Sequence, residues 1–78
     1  MMKCYNKLDC VVREQAPTSN KVKTATEIAI FIGPVLVATK VIGGRYTAEQ
    51  GLAEFRRNPK TFKQHAGYET ATALRLVA

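Results

Sequence analysis

The chain has no tryptophan, one histidine, two cysteines, three prolines and half as many acidic as basic residues. Each shortage closes a class of function. One His and two Cys supply at most three metal ligands, and Cys4, Cys10 and His65 lack the close spacing that zinc sites use. No metal or other cofactor is therefore expected. Two cysteines are too few for a disulfide framework. On a strand covering residues 3–13 they would stand six residues apart on one face, about 20 Å from each other. A disulfide needs Cα atoms within about 7 Å, so both are expected as buried free thiols in a reducing compartment. The start, "MMKCYNKLDC", has no apolar core of a signal peptide, and a cytoplasmic location is expected.

Catalytic patterns are also missing. The six acids are scattered and offer no evident pair for acid–base work. Gly43-Gly44-Arg45 lacks the G-x-x-x-x-G-K pattern of a phosphate loop and reads as a tight turn before a helix. A Cys–His nucleophile pair would require His65 to fold back onto Cys4 or Cys10. The expectation is a protein that is not an enzyme.

No long charge-free run is present. Glu27 and Lys40 bound twelve uncharged residues, about 18 Å as a helix against roughly 30 Å of hydrocarbon. Gly33-Pro34 would also break such a helix at its middle. A kinked membrane span over residues 25–42, the mark of a small membrane-associated subunit, is thus the weaker reading. A β-hairpin turning at Gly33-Pro34 is the stronger one. It sets Ile32 opposite Val35, Ile30 opposite Val37, Ile28 opposite Thr39 and Glu27 opposite Lys40, with β-branched residues along one face. The other face then carries Phe31 against Leu36 and Ala29 against Ala38. These four are a candidate protein interface, and they predict a homodimer, because a face apolar on both sides of the tip needs a cover.

What remains is a chain of 78 residues, 46% hydrophobic, with a net charge of +6. It predicts one compact domain over residues 1–78, near the lower size limit for an independent core. Residues 3–13 alternate partly, as a half-buried strand does, and residues 14–23 read as a surface loop. Thr47 and Gln50 have capping-box spacing before a helix whose Ala48, Leu52 and Phe55 share one face. Asn58-Pro59 ends it and opens a second short helix, with Gly67 beyond. "YETATALRLVA" alternates as a final strand. The predicted fold is α+β: a small antiparallel sheet in the order β-β-β-α-β, with one main helix packed on one face.

The most distinctive stretch is "EFRRNPKTFKQH", residues 54–65. Arg56 and Arg57 are partly explained as cations at a helix C-terminus, and Glu54 can reach Arg57 one turn on. Lys60, Lys63 and His65 lie beyond that helix, where the explanation fails. With Arg45 they form the candidate contact set for nucleic acid or an acidic partner. Phe55 reads as core, whereas Phe62 could be core or a base-stacking platform. A helix-turn-helix over residues 47–66 would have a very short second helix. A sheet surface of Tyr5, Lys7 and Arg13 lacks the paired aromatics of RNA-binding sheets.

The favoured expectation is a small basic binding module for nucleic acid or a nucleoprotein machine. The alternative is an inhibitor or adaptor that acts by covering a protein target through the apolar hairpin face. A small β-rich chain without catalytic groups resembles inhibitor proteins of phages and mobile elements, including anti-restriction and anti-CRISPR types.

Overall fold

β-Branched and apolar residues at every second position make three strands, β1 (Leu8–Gln15), β2 (Ala25–Ile32) and β3 (Val35–Gly43). In the computed structural model, which describes residues 8–16 and 24–77, these are followed by α1 (Ala48–Arg57), a 3-10 turn at Pro59–Thr61, the two-residue strand β4 (Lys63–Gln64) and α2 (Tyr68–Val77). The sheet is antiparallel in the order β1-β2-β3-β4. Ala71 of α2 and Phe55 of α1 belong to one buried cluster with Leu8, Ile28, Ile30 and Ile32, so both helices cover the same face. The α+β fold with its main helix on one face of the sheet is as expected. Residues 25–42 form strands, and the kinked helical span is thereby overturned. No helix among the described residues is long and apolar enough to cross a membrane.

The hairpin turns at Gly33, whose φ of +56° fits the first central position of a type II′ turn before Pro34. Ile32 faces Val35 and Phe31 faces Leu36, but Ile30 then faces Ala38, leaving Val37 as an extra residue. This bulge moves every later pair by one. Ile28 meets Lys40 instead of Thr39, and Glu27 meets Val41 instead of Lys40. Val37 and Ala38 are both buried as a result. The Val37 carbonyl accepts the His65 backbone N–H at 2.8 Å, which helps seat β4.

α1 begins with the expected capping box between Thr47 and Gln50. Its buried residues are Gly51, Glu54 and Phe55, whereas Ala48 is exposed and Leu52 half-buried, so the contact stripe differs from the one expected. The reason is close approach. A Cβ at Gly51 would lie 2.7 Å from Cys10 Sγ, 3.0 Å from Ile28 Cγ2 and 3.4 Å from Val12 Cγ1. Glycine lets the helix settle onto β1 and β2.

Three further expectations change. Residues 68–77 form α2, not a final strand: Tyr68 and Ala71 meet the core at helical spacing, and Lys63–Gln64 already occupy the sheet edge beside β3. The expected second helix is a single 3-10 turn, which removes the helix-turn-helix reading. β1 extends to Gln15, into the expected loop, because it pairs with the whole length of β2. Cys4, Tyr5 and Lys7 lie outside the described residues.

Helical Gly→Ala usually gains up to about 1 kcal/mol. Gly51→Ala should instead destabilise by about 1–3 kcal/mol, through overpacking against Ile28 and Cys10. Cys10→Ala should cost less in that background than in the wild type, a coupling that a double-mutant cycle in urea would measure.

Candidate functional site

The C-terminus of α1, the 3-10 turn and β4 run consecutively and carry Arg56, Arg57, Lys60, Lys63 and His65. Their positions depend on Lys40. The bulge turns this residue toward α1, where its ammonium donates to Glu54 Oε2 at 3.1 Å and to Thr61 Oγ1 at 2.9 Å. It also lies 5.4 Å from the centre of the Phe62 ring. Glu54 is buried and is bonded by Arg57 as well. Hydrogen bonding from Lys40 holds the Glu54 carboxyl below its ordinary pKa, against the opposing effect of burial and with help from Arg57. The expected Glu27–Lys40 pair does not form. Glu27 instead receives Arg13 of β1 at 2.9 Å.

Within this frame the cations differ. Arg57 is tied to Glu54, the helix-end role anticipated for it. Arg56 is exposed on α1. Lys60 and Lys63 are exposed, and neither makes an ion pair within the described part of the chain. Arg57, Asn58, Pro59, Lys60 and Thr61 line a shallow depression. His65 is half-buried, with Nε2 3.0 Å from Thr39 Oγ1. Arg45 stands apart: its Nε lies 3.5 Å from Glu14 Oε2 on β1. β1 and β4 are three strand spacings apart, about 14 Å. The structure therefore sets Arg57 and Lys60 around one depression with Lys63 and His65 on the segment beyond, leaves Arg56 on the flank of α1 with Glu49 and Leu52, and separates Arg45.

Neither aromatic of this stretch faces solvent. Phe55 and Phe62 are buried edge to face at 5.2 Å between centroids, and Tyr68 meets Phe55 at 6.2 Å. Phe62 is core, not a stacking platform.

The face opposite the helices carries Asp9, Val11 and Arg13 from β1, and Glu27, Ala29 and Phe31 from β2. Leu36, Thr39 and Val41 continue it on β3 and Lys63 on β4, as the pairing register requires. Phe31, Leu36 and Ala29 are half-buried there. Ala38, expected beside them, is in the core, because the bulge rotates it inward. Val11 and Val41, 56% and 53% exposed, were missed. The Asp9-Val11-Arg13 alternation carried the signal for Val11; nothing in the sequence reveals the shift that turns Val41 outward.

Cys10 and His65 stand on opposite faces, at opposite edges of the sheet, so they form no nucleophile pair. Burial pushes the Cys10 thiol up to about 11, which keeps it protonated at neutral pH. Among the described residues no three His, Cys, Asp or Glu side chains are grouped to hold a metal ion.

Removing one partner of a buried ion pair typically costs about 3–5 kcal/mol, whereas an apolar replacement of both can be neutral. Glu54→Ala should lower stability by about that amount, and Lys40→Met with Glu54→Leu by much less. Because the folded-state pKa of Glu54 is depressed, its stabilisation is complete above the unfolded carboxylate value of about 4.3 and fades as pH falls through the folded value. Urea midpoints measured from neutral pH downward should fall more steeply for the wild type than for Glu54→Gln. No protein-family model, curated protein or solved structure matches this chain.

Proposed function

We propose that this protein is a non-enzymatic, cytoplasmic binding module that engages nucleic acid, alone or within a nucleoprotein complex, through the basic edge formed by Lys60, Lys63 and the C-terminus of α1. The observation that carries this reading is the contrast among cations. Arg13, Lys40, Arg45 and Arg57 each pair with a carboxylate, whereas Lys60 and Lys63 are exposed without an ion pair among the described residues. The fold thus presents two lysines that the salt bridges do not consume. His65 and Thr39 add polar groups beside Lys63. With Phe55 and Phe62 buried, base stacking has no platform in this stretch. Contact would be with phosphates, hence weakly dependent on base sequence.

A second reading is favoured by a separate observation. Val11 and Val41 are exposed on the sheet face that the helices leave open, with Phe31 and Leu36 half-buried beside them. An apolar surface of this kind suits a protein target, and the protein would then act as an inhibitor or adaptor by occlusion.

Salt separates the two readings. Each phosphate contact should contribute about 0.7–0.9 log units of affinity lost per tenfold rise in salt. Lys60→Ala with Lys63→Ala should fold normally, bind nucleic acid more weakly and reduce the slope by roughly 1.4–1.8. Arg57→Ala should lower stability as well, because that side chain also serves Glu54. Unchanged affinity and slope in the lysine variant would refute the nucleic-acid reading and leave occlusion of a protein target.

A further inference from the structure

We propose that β1 is a self-association edge. Two copies pair antiparallel through residues 8–14 about a two-fold axis at Val11, joining two four-stranded sheets into one of eight strands. Among the described residues β1 pairs on one side, with β2, and its eight residues contain no proline, glycine or lysine. Its register with β2 is unbroken. Bulges, prolines and lysines, devices that stop an edge strand from pairing, are absent from β1. Its charges are Asp9 and Arg13 on the open face, of opposite sign and so able to complement a second copy, and Glu14 on the helix face, which Arg45 approaches at 3.5 Å.

The occupant is set by charge. Antiparallel pairing of identical edges requires a two-fold axis normal to the sheet, which keeps equivalent faces on the same side. Centred on Val11, it sets Val11 against its own copy and Asp9 against Arg13 of the partner subunit, twice. Arg13 already bonds Glu27 on its other side, so each guanidinium would stand between two carboxylates across three strands. Moving the centre to Cys10 sets Asp9 opposite Val11, and moving it to Val12 sets Arg13 opposite Val11. Either shift breaks both charge pairs.

An independent feature shares this centre. Gly51, near the middle of α1, lies over Cys10 and Val12, and hence over Val11. It also touches Ile28 of β2, so the helix axis runs between the two strands, half a spacing inside the edge. Across the two-fold, the two copies of α1 then lie about 9.6 Å apart, from one full and two half spacings of about 4.8 Å. Packed helices sit about 8–10 Å apart. A shallow groove on α1 is lined by Glu49, Leu52, Ala53, Arg56 and Arg57. Of these, Leu52 and Arg56 lie on the flank away from Glu54, which reaches β3, and so on the β1 side. One rotation completes the strand edge and brings the two helix flanks to packing distance.

The test is a charge exchange read by sedimentation equilibrium. Wild type should dimerise reversibly over micromolar to submillimolar concentrations. Asp9→Arg and Arg13→Asp each place like charges opposite one another at both symmetric positions. Each alone should raise the dissociation constant by roughly tenfold or more. Mixed together the two variants should form a heterodimer. The arginine introduced at position 9 of one chain then faces the aspartate introduced at position 13 of the other, and the native Arg13 of the first faces the native Asp9 of the second. Restoration on mixing also shows that both variants fold. A cross-link fixes the register: Val11→Cys, in a chain with Cys4→Ala and Cys10→Ala, should give an inter-chain disulfide on mild oxidation. Cα atoms paired across antiparallel strands stand about 4.5–5.5 Å apart, within disulfide reach. A monomeric wild type, a dimer indifferent to both charge changes, no restoration on mixing, or cross-linking through Phe31→Cys in place of Val11→Cys would each overturn the proposal.

Discussion

Lys40 places an ammonium group beneath a helix with four-fifths of its side chain shielded from water. A charge so placed persists only with partners close by, and this one gathers Glu54 from α1, Thr61 from the 3-10 turn and the face of Phe62. The helix, the turn and the strand that follows are thereby referred to a single atom of β3. Glu54 in turn holds Arg57. The ion pair needs no large net stability to matter, since apolar replacements of buried pairs often fold as well. Its consequence is positional. It fixes where the chain leaves α1, and so where Lys60 and Lys63 emerge.

The same residue marks the boundary of what the sequence discloses. A hairpin at Gly33-Pro34, its tip pairs, the capping box of α1 and the stop at Asn58-Pro59 all follow from local rules about φ, donors and alternation. The register beyond the tip does not. Val37 is an ordinary strand residue, and no glycine announces a bulge there. Two buried side chains, Val37 and Ala38, pack where strict alternation allows one, and that preference is tertiary. From this single shift follow the loss of the Glu27–Lys40 pair, the inward turn of Ala38 and the exposure of Val41.

The C-terminal segment fails for a different reason. Residues 68–77 alternate acceptably for a strand, yet Ala, Leu, Glu and Arg are good helix formers. The arbiter is the sheet edge, which His65 and Gln64 reach first. Among the candidate contact residues, Lys60 and Lys63 were legible because they lie beyond the helix whose end explains the arginines. Arg45 was misplaced because its partner, Glu14, is distant in sequence and belongs to the opposite edge. Proximity to a basic stretch along the chain does not translate into proximity across a four-stranded sheet.

The two proposals are compatible because the paired strand and the two lysines stand at opposite edges. β1 lies at one end of the strand order and β4 at the other, so pairing through β1 leaves Lys60 and Lys63 uncovered. In an eight-stranded sheet the two copies of β4 are separated by seven spacings, about 34 Å. Sheet twist rotates the strands about the line joining them and leaves that separation nearly unchanged. One turn of B-form duplex advances by about the same distance. A dimer built this way would offer two lysine pairs, related by a two-fold axis, at the repeat of a duplex that has two-fold symmetry of its own. The second pair would then bind at the effective concentration set by the first. Weak contacts from a domain of this size could gain affinity without any new side chain at the interface.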